Sequence, residues 1–362
     1  MINSNKKNFW QNLKRPFFCL APMSDVTDIA FRSVLSKYSK DRENKNRVVF
    51  WTEFVSADGL SNKFARKKLA HILKFKESER PIVAQVFGAN PDNMKYACQY
   101  IASLGFDGID INMGCPDKSV ISQGAGSALI KNPPLARKII QAAHAGIESA
   151  GLSTPVSIKT RIGFNKEEIV KWIPELLKED ISALTVHLRT TKELSLVKAD
   201  WNHIKKIKEL IKKSAKDVIL IGNGDIKDLK DGEEKALKYG CDGVMIGRGV
   251  FGNPWFFSGR EIGSKETWER DGASTRNFLV KKYPYSFEPI SLKEKLEVLV
   301  EHTNLFEKEL SGPKHKSFAV MKKHFKTYVN DFPGAKELRV KLMETENAKQ
   351  VEKIINDFLK KI

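Results

Sequence analysis

The chain has 362 residues, of which 41% are hydrophobic and 29% are charged, and this composition excludes disorder as its main state. The 62 lysines and arginines outnumber the 44 acidic residues and give a net charge of +18, which attracts polyanions such as nucleic acid. From charge alone, a lysine-rich surface that only keeps the protein in solution is an equal alternative. The length predicts one large domain with a smaller appendage.

Cysteine spacing and the distribution of apolar residues narrow the class of protein further. The four cysteines contain no CxxC pair, which argues against a zinc knuckle or a disulfide framework, and we expect no metal site. The first residues, MINSNKKNFWQNLKRP, lack the apolar core of a signal peptide. No run approaches the roughly 18 apolar residues of a membrane span. We therefore expect a cytoplasmic protein that does not enter a membrane. A monomer is a separate expectation, which these features do not establish.

Short apolar runs alternate with stretches of helical periodicity along the first two thirds of the chain. They predict eight strands, at residues 17–21, 48–51, 82–86, 108–111, 156–159, 183–187, 218–222 and 243–247. Eight strand-helix alternations favour a closed parallel barrel over an open sheet. The predicted fold class is α/β, with a (β/α)8 TIM barrel as the catalytic domain over residues 1–257.

The pattern changes after the last predicted strand. Residues 258–290 are polar and aperiodic, which predicts an irregular connection. Amphipathic helices are predicted at 292–310, 317–332 and 347–362, so residues 291–362 are expected to form an all-helical domain. The second of these helices carries several lysines that could meet phosphates, although an ordinary solvated basic face explains them equally well.

Polar residues end or follow six of the predicted strands. They are Gln85, Asn112, Lys159, His187, Asn223 and Arg248. In a parallel barrel these positions converge on the carboxyl-terminal rim, where the active sites of this fold lie. Any one of them could be polar only because a strand end reaches solvent, but the six together favour a site. A lysine directed into a barrel mouth is costly without an anion, so Lys159 predicts a ligand that bears or develops negative charge.

Two glycine-rich turns follow the seventh and eighth strands, at residues 222–225 and 247–249. At these two loops of a (β/α)8 barrel, backbone N–H groups commonly bind a phosphate, because glycine permits close approach. Residues 247–252 also match the pattern GxGxxG of dinucleotide-binding folds. Asn253 and Pro254 interrupt the helix that this fingerprint should open, and no parallel strand is evident downstream, so we discount that interpretation.

Cys115 lies in a glycine-proline loop just beyond the fourth predicted strand, with Lys118 three residues further on. This position on the functional rim suits a proton donor or a nucleophile. Cys19, Cys98 and Cys241 fall in or beside apolar or helical segments, so we expect them to be packed in the core.

The segments described so far, taken in order, resemble the tRNA-dihydrouridine synthase family. The matching segments are LAPMS at 20–24, TD at 27–28, Gln85, DINMGCP at 110–116, GAGSAL at 124–129, KTR at 159–161, VH at 186–187, NGDI at 223–226, DGVMIGRG at 242–249, and FPGA and ELR near residues 332–339. Such an ordered series covers most of the chain and is highly specific.

The resemblance implies FMN as the cofactor and a reduced nicotinamide, usually NADPH, as the source of electrons. Carried over by motif, the cofactor-binding residues are Pro22, Met23 and Ser24 along the flavin, Gln85 and Lys159 at its ring, His187 against it, and Asn223, Gly224, Asp225, Gly247 and Arg248 at the ribityl phosphate. Lys159 would stabilise the anionic reduced flavin.

The resemblance also implies the reaction. The reduced flavin would deliver a hydride to C6 of a uridine in tRNA, and Cys115 would be the catalytic residue that protonates C5. The base would have to leave the RNA stack, while the basic surface and the helical domain hold the tRNA. Candidate substrate contacts are Asn112, Lys118, Arg161 and Arg189.

Two other functions are consistent with parts of the sequence. Another FMN barrel, such as a dihydroorotate-dehydrogenase-like protein, would act on a free pyrimidine; the Cys-Pro loop, the charge of +18 and the helical tail favour RNA instead. A tRNA-binding protein that has lost its chemistry would have no need of both Lys159 and Cys115.

The charge balance leads to a prediction for binding. Because phosphate contacts release counterions, the affinity for tRNA should fall by at least about tenfold between about 50 and 200 mM salt. Filter binding or fluorescence anisotropy over a salt series measures this slope. An affinity that does not change with salt would contradict binding dominated by contacts with phosphates.

Overall fold

The computed structural model describes residues 8–39, 46–260, 262, 289–310 and 316–362. Eight parallel strands form a closed barrel in chain order, with the first strand paired to the eighth. The strands are β1 (Phe17–Leu20), β2 (Val48–Ser56), β3 (Ile82–Phe87), β4 (Gly108–Met113), β5 (Val156–Arg161), β6 (Ala183–His187), β7 (Ile219–Asn223) and β8 (Gly243–Ile246). The predicted (β/α)8 barrel is confirmed.

The strands are near-continuous apolar runs because the barrel interior covers one face and helices cover the other. The largest difference from the prediction is in β2, which continues to Ser56 instead of ending at Trp51. Its pairing with β3 shifts register between Trp51 and Phe54, so the apolar run that predicted the strand marks only its first half. β3, β4 and β5 also extend one or two residues past their predicted ends.

Aromatic side chains fill the barrel near the start of the strands. Trp10 belongs to a short 3-10 helix, Phe9–Asn12, that precedes β1. Its ring centroid lies 5.9 Å from that of Phe17 and 5.8 Å from that of Trp51, and all three side chains are buried. The interior is therefore a packed core at this level, as expected for a TIM barrel.

The described helices number thirteen, excluding short 3-10 turns. They are α1 (Ile29–Ser39), α2 (Ala57–Ser61), α3 (Lys63–Leu69), α4 (Pro91–Ser103), α5 (Lys118–Ile121), α6 (Pro133–Ser149), α7 (Ile169–Leu177), α8 (His203–Lys213), α9 (Leu229–Tyr239), α10 (Leu292–Leu310), α11 (Met321–Tyr328), α12 (Ala335–Met343) and α13 (Ala348–Leu359). Within the described ranges, no helix combines the length and the apolar character needed to cross a bilayer.

Contacts between residues divide the chain into two units. One comprises the described residues of Met1–Asp28 and Glu43–Gly247, and the other comprises those of Ile29–Arg42 and Arg248–Ile362. All eight strands lie in the first unit, whereas α1 groups with the C-terminal helices. Most of the predicted connection at 258–290 lies outside the described residues, and the domain bounds 1–257 and 291–362 stay a prediction.

The second unit contains the predicted all-helical region, which the structure confirms with a different set of helices. The helix predicted at 317–332 is a 3-10 turn followed by α11, which ends at Tyr328. The sequence analysis missed α12. This helix starts after Gly334, whose φ of +79° is left-handed, and it buries apolar residues at helical spacing. Those residues are Ala335, Leu338 and Leu342.

Candidate active site

The parallel register brings the predicted rim residues into adjacent positions. Asn112 on β4 pairs with Lys159 on β5. Two residues further along β5, Arg161 pairs with His187 on β6. His187 in turn pairs with Asn223 on β7. Four neighbouring strands therefore present their polar ends at one edge of the barrel, as the sequence predicted.

Burial separates the predicted site residues into two groups. Those with exposed or partly exposed surface are Pro22, Met23, Ser24, Cys115, Lys118, Lys159, His187, Asp225 and Gly247. Those that are buried are Gln85, Asn112, Arg161, Arg189, Asn223 and Gly224. The first group can contact a ligand directly in this conformation, whereas the second can hold its neighbours in place. Arg248 begins the 3-10 turn Arg248–Val250 of the second unit.

Cys115 is the one cysteine of the chain that is not buried. The turn that carries Cys115 is held by hydrogen bonds to two residues. Asn112 Oδ1 accepts from the backbone N–H groups of Gly114, at 3.1 Å, and of Cys115, at 2.9 Å. The Cys115 carbonyl accepts a hydrogen bond of 3.1 Å from the Ser127 N–H. Gly126 has a φ of +59°, and a Cβ there would lie 3.0 Å from the Cys115 carbonyl oxygen, so this close approach requires glycine.

The environment of Cys115 favours the thiol over the thiolate. Burial is the largest influence and raises the pKa of Cys115 above its ordinary value of 9.0, and the charge of Asp117 raises it further. A backbone hydrogen bond at Asp117 and the positive charges of Lys159 and Arg161 oppose this rise without cancelling it. The side chain therefore carries its proton at neutral pH. Of the two roles considered for it, this state suits proton donation rather than nucleophilic attack.

Lys159 places a positive charge close to that thiol. Burial, together with the charge of Arg161, lowers the pKa of Lys159 to about 8, while Asp110 and Cys115 act in the opposite direction. Within the described part of the chain, the Lys159 ammonium makes no hydrogen bond. Its three donors can therefore meet an anionic or carbonyl acceptor on a ligand.

Asp110 is a functional candidate that the sequence analysis quoted only inside a motif. Its carboxylate is fully buried and accepts hydrogen bonds of 2.6 Å from Gln85 Nε2 and 2.6 Å from Ser157 Oγ. Burial raises the pKa of Asp110 to about 6, against these hydrogen bonds and the charge of Lys159, which lower it. The only sequence signal for this role is an acidic residue inside an otherwise apolar strand.

Arg161 connects two loops of the rim. Its Nε donates to the Gly114 carbonyl at 2.8 Å, and its Nη1 donates to the carbonyls of Thr190, at 3.0 Å, and Leu194, at 3.1 Å. The side chain is buried, so these carbonyls take the place of water around the guanidinium. Arg161 therefore fastens the Cys115 turn to the loop that follows β6.

Arg189 has a similar role beside His187. Its Nη2 donates to Asp225 Oδ2 at 2.5 Å, its Nε donates to the Val197 carbonyl at 2.6 Å, and its Nη1 lies 3.1 Å from His187 Nε2. Because a guanidinium can only donate, His187 Nε2 accepts this bond and the ring proton is placed on Nδ1. The Asp225 carboxylate also accepts from the Ala199 N–H at 2.9 Å, so Asp225 orients the rim in addition to any role at a phosphate.

The glycine turns after β7 and β8 differ in how much space they leave. Gly224 has a φ of +138°, and a Cβ there would lie 2.6 Å from the Ala199 Cβ, so the turn requires glycine. Asn223 Nδ2 donates to the Met245 carbonyl at 2.8 Å and joins the two strands. At Gly247 the nearest atom to a Cβ would be Met23 Sδ, at 3.7 Å, which is an ordinary van der Waals contact, so packing does not require glycine there.

The carbonyl contacts of Arg161 lead to a stability prediction. Arg161→Lys keeps the charge but cannot reach all three carbonyls, so it should destabilise the protein by about 2 kcal/mol and lower the melting temperature by about 4–8 °C. The control is Arg15→Lys, because Arg15 is half exposed and its ion pair with Asp242 contributes at most about 1 kcal/mol. Equal melting temperatures for the two variants would contradict the fastening role.

Comparison with known proteins places the chain in a family. Residues 19–362 match the family described as dihydrouridine synthase. A probable tRNA-dihydrouridine synthase 2 of Bacillus subtilis strain 168 is 40% identical over 356 residues, covering 98% of both chains. A probable tRNA-dihydrouridine synthase of Staphylococcus aureus strain MRSA252 is 40% identical over 354 residues, covering 98% of this chain and 96% of the relative.

Solved structures with a similar fold are more distant. A structure of morphinone reductase in complex with tetrahydroNAD has 11% sequence identity and a TM-score of 0.43, covering 66% of this chain and 84% of that one. A 2-naphthoyl-CoA reductase complex has 10% identity and a TM-score of 0.49, covering 69% of this chain and 52% of that one. The family match spans nearly the whole chain, and the relatives are 40% identical over 98% of it, so the chain belongs to the dihydrouridine synthase family.

Proposed function

We propose that the chain reduces uridines in tRNA to 5,6-dihydrouridine, with FMN as its cofactor and NADPH as its electron donor. The observation that carries the proposal is a protonated, partly exposed thiol, Cys115, on the same rim as a cationic lysine, Lys159. The relatives named as probable tRNA-dihydrouridine synthases support tRNA as the substrate. The net charge of +18 is consistent with a polyanionic partner.

The residues of the rim fit an FMN cofactor. Lys159 offers hydrogen-bond donors and a positive charge to the ring, and the turn at Gly247 is not closely packed, which is consistent with a ligand beside it. The ring of His187, held by Arg189, offers an aromatic face. These residues would hold the flavin, which would supply the hydride for C6 of the uracil ring when it is bound and reduced. Gln85 is fully buried, so its contact with the flavin ring stays a prediction. The binding of the FMN phosphate by Asn223, Asp225 and Arg248 is likewise a prediction.

Cys115 completes the reduction of the C5=C6 double bond. Its Sγ–H gives a proton to C5, so that hydride and proton together add across the bond, and water then returns a proton to the sulfur. The raised pKa of Cys115 keeps the thiol protonated before each turnover. The backbone bonds to Asn112 and Ser127 hold the turn so that the sulfur keeps its direction.

The substrate base must leave the RNA stack to reach a barrel mouth. Lys118 is exposed at the start of α5, three residues from Cys115, and is suited to a phosphate of the extruded nucleotide. Asn112, Arg161 and Arg189 are buried here, so their predicted substrate contacts stay predictions. We further propose that the protein works in the cytoplasm, where its cysteines stay reduced; the expected monomer is likewise a prediction.

The role of Cys115 is tested by removing the thiol. Cys115→Ala should lower turnover by about 10²- to 10⁴-fold, because the proton donor is lost while the fold and the charged groups stay. Flavin absorbance and tRNA affinity should stay within about twofold of the parent. Cys98→Ala is the control, since Cys98 is buried in α4 away from the rim residues described. Normal turnover of the Cys115 variant would sink the proposed chemistry.

The pKa of Lys159 makes cofactor binding depend on pH. In the free protein Lys159 is charged below about pH 8 and neutral above it, so FMN affinity should be constant near pH 7 and weaken as pH rises through about 8. The titration of FMN fluorescence on apoprotein between pH 7 and 9 measures this, a window in which Cys115 keeps its proton.

Lys159→Met is the matched control for that titration. It should bind FMN more weakly at pH 7, and its affinity should show no inflection near pH 8, because the titrating group is absent. An inflection of unchanged size in this variant would show that another group is responsible.

A further inference from the structure

A continuous chain of hydrogen bonds runs from the barrel interior to the Cys115 turn. It begins at the Asp110 carboxylate, to which Gln85 Nε2 donates at 2.6 Å. Gln85 Oε1 in turn accepts from Asn112 Nδ2 at 2.9 Å. Asn112 Oδ1 accepts from the backbone N–H groups of Gly114 and Cys115. Asp110, Gln85 and Asn112 are all buried, so water does not compete for these bonds.

Each side-chain amide in this chain has one orientation that satisfies both of its ends. The two backbone N–H groups require an oxygen at the outer end of Asn112, which turns Asn112 Nδ2 toward Gln85. That in turn requires Gln85 Oε1 to face Asn112 and Gln85 Nε2 to face Asp110. An acceptor is therefore needed at Asp110, and a donor there would reverse the preferred direction of every amide up to the Cys115 turn.

We propose that Asp110 is a positioning residue: its carboxylate sets the direction of the Gln85 and Asn112 amides and so fixes the turn that carries Cys115. Ser157 supports this arrangement, because its hydroxyl donates 2.6 Å to the second oxygen of Asp110 and holds the carboxylate in place. The effect on proton delivery rests on the proposed function, whereas the effect on the turn does not.

Removal and conservative replacement of Asp110 distinguish this role from simple packing. Asp110→Ala removes the acceptor. Asp110→Asn can retain it, because the new amide can turn its oxygen to Gln85 and its nitrogen to the Ser157 oxygen. Hydrogen exchange of the peptide that contains Gly114 and Cys115, followed by mass spectrometry on the full-length protein with FMN added, should therefore be about tenfold faster in Asp110→Ala and near the parent rate in Asp110→Asn.

Turnover should follow the same order. Asp110→Ala should lower kcat by about tenfold or more with little change in KM for tRNA. Asp110→Asn should recover part of kcat, because it restores the turn but not the negative charge that raises the pKa of Lys159. Exchange at the turn that is unchanged in Asp110→Ala, or equally fast in both variants, would overturn the proposal. Faster exchange without any change in kcat would keep the effect on the turn but count against the proton-donor role of Cys115.

A double substitution keeps the proposal testable if Asp110→Ala does not fold. Asn112→Asp keeps the acceptor for the turn but sets an oxygen against Gln85 Oε1, and this should lower the melting temperature by several degrees. Adding Asp110→Asn lets the Gln85 amide reverse. Its nitrogen then donates to the carboxylate introduced at position 112, and its oxygen accepts from the amide introduced at position 110. Ser157 still donates to the oxygen of that amide.

This exchange of the two side chains preserves their total charge and volume. The double variant should therefore melt at a higher temperature than Asn112→Asp alone, although it contains one more substitution. A double variant that is no more stable than Asn112→Asp would show that the direction of the amides is not coupled along the chain, and would overturn the proposal.

Discussion

Taking charged groups out of water at the end of a barrel is costly, and the rim of this protein is organised around that cost. Asp110, Arg161 and Arg189 are buried there, and Lys159 is largely enclosed. The three buried groups form hydrogen bonds with backbone carbonyls, with a side-chain amide or with a group of opposite charge. Lys159 is the exception, since the described residues offer it no hydrogen-bond acceptor.

The same desolvation sets the protonation states that the chemistry needs. It raises the pKa of Cys115, which keeps the thiol protonated, and lowers that of Lys159 to about 8, which leaves it mostly charged at neutral pH. Burial therefore favours the protonated thiol of Cys115 but disfavours the charged form of Lys159, which stays mostly charged at neutral pH because its pKa is still about 8. The negative charge of the nearby Asp110 raises the pKa of Lys159 and so partly offsets the effect of burial on the lysine.

The sequence predicted the barrel well because its strands are covered on both faces and appear as uninterrupted apolar runs. It also located the rim, since the polar residues at strand ends such as Asn112 and His187 converge by topology. It could not show which of them are accessible: the structure buries Arg161 and Arg189, so their predicted contacts with the substrate stay predictions. Arg161 bonds to backbone carbonyls, one of them 47 residues away along the chain, and Arg189 bonds mainly to the Asp225 carboxylate and to residues near His187. Hydrogen-bond direction, as at Asp110 and Gln85, has no signature in a one-dimensional pattern, and α12 was missed because it follows a turn that was interpreted only as a break.

The aromatic side chains at the start of the strands have a consequence for how ligands reach the site. Trp10, Phe17 and Trp51 pack together at the start of the strands and fill that end of the barrel with side chains. In the proposed reaction, the nicotinamide and the nucleotide would then both reach the flavin from the carboxyl-terminal rim. The two would visit in turn, one leaving before the other arrives, so the enzyme would work by alternating half-reactions with the flavin storing the electrons in between.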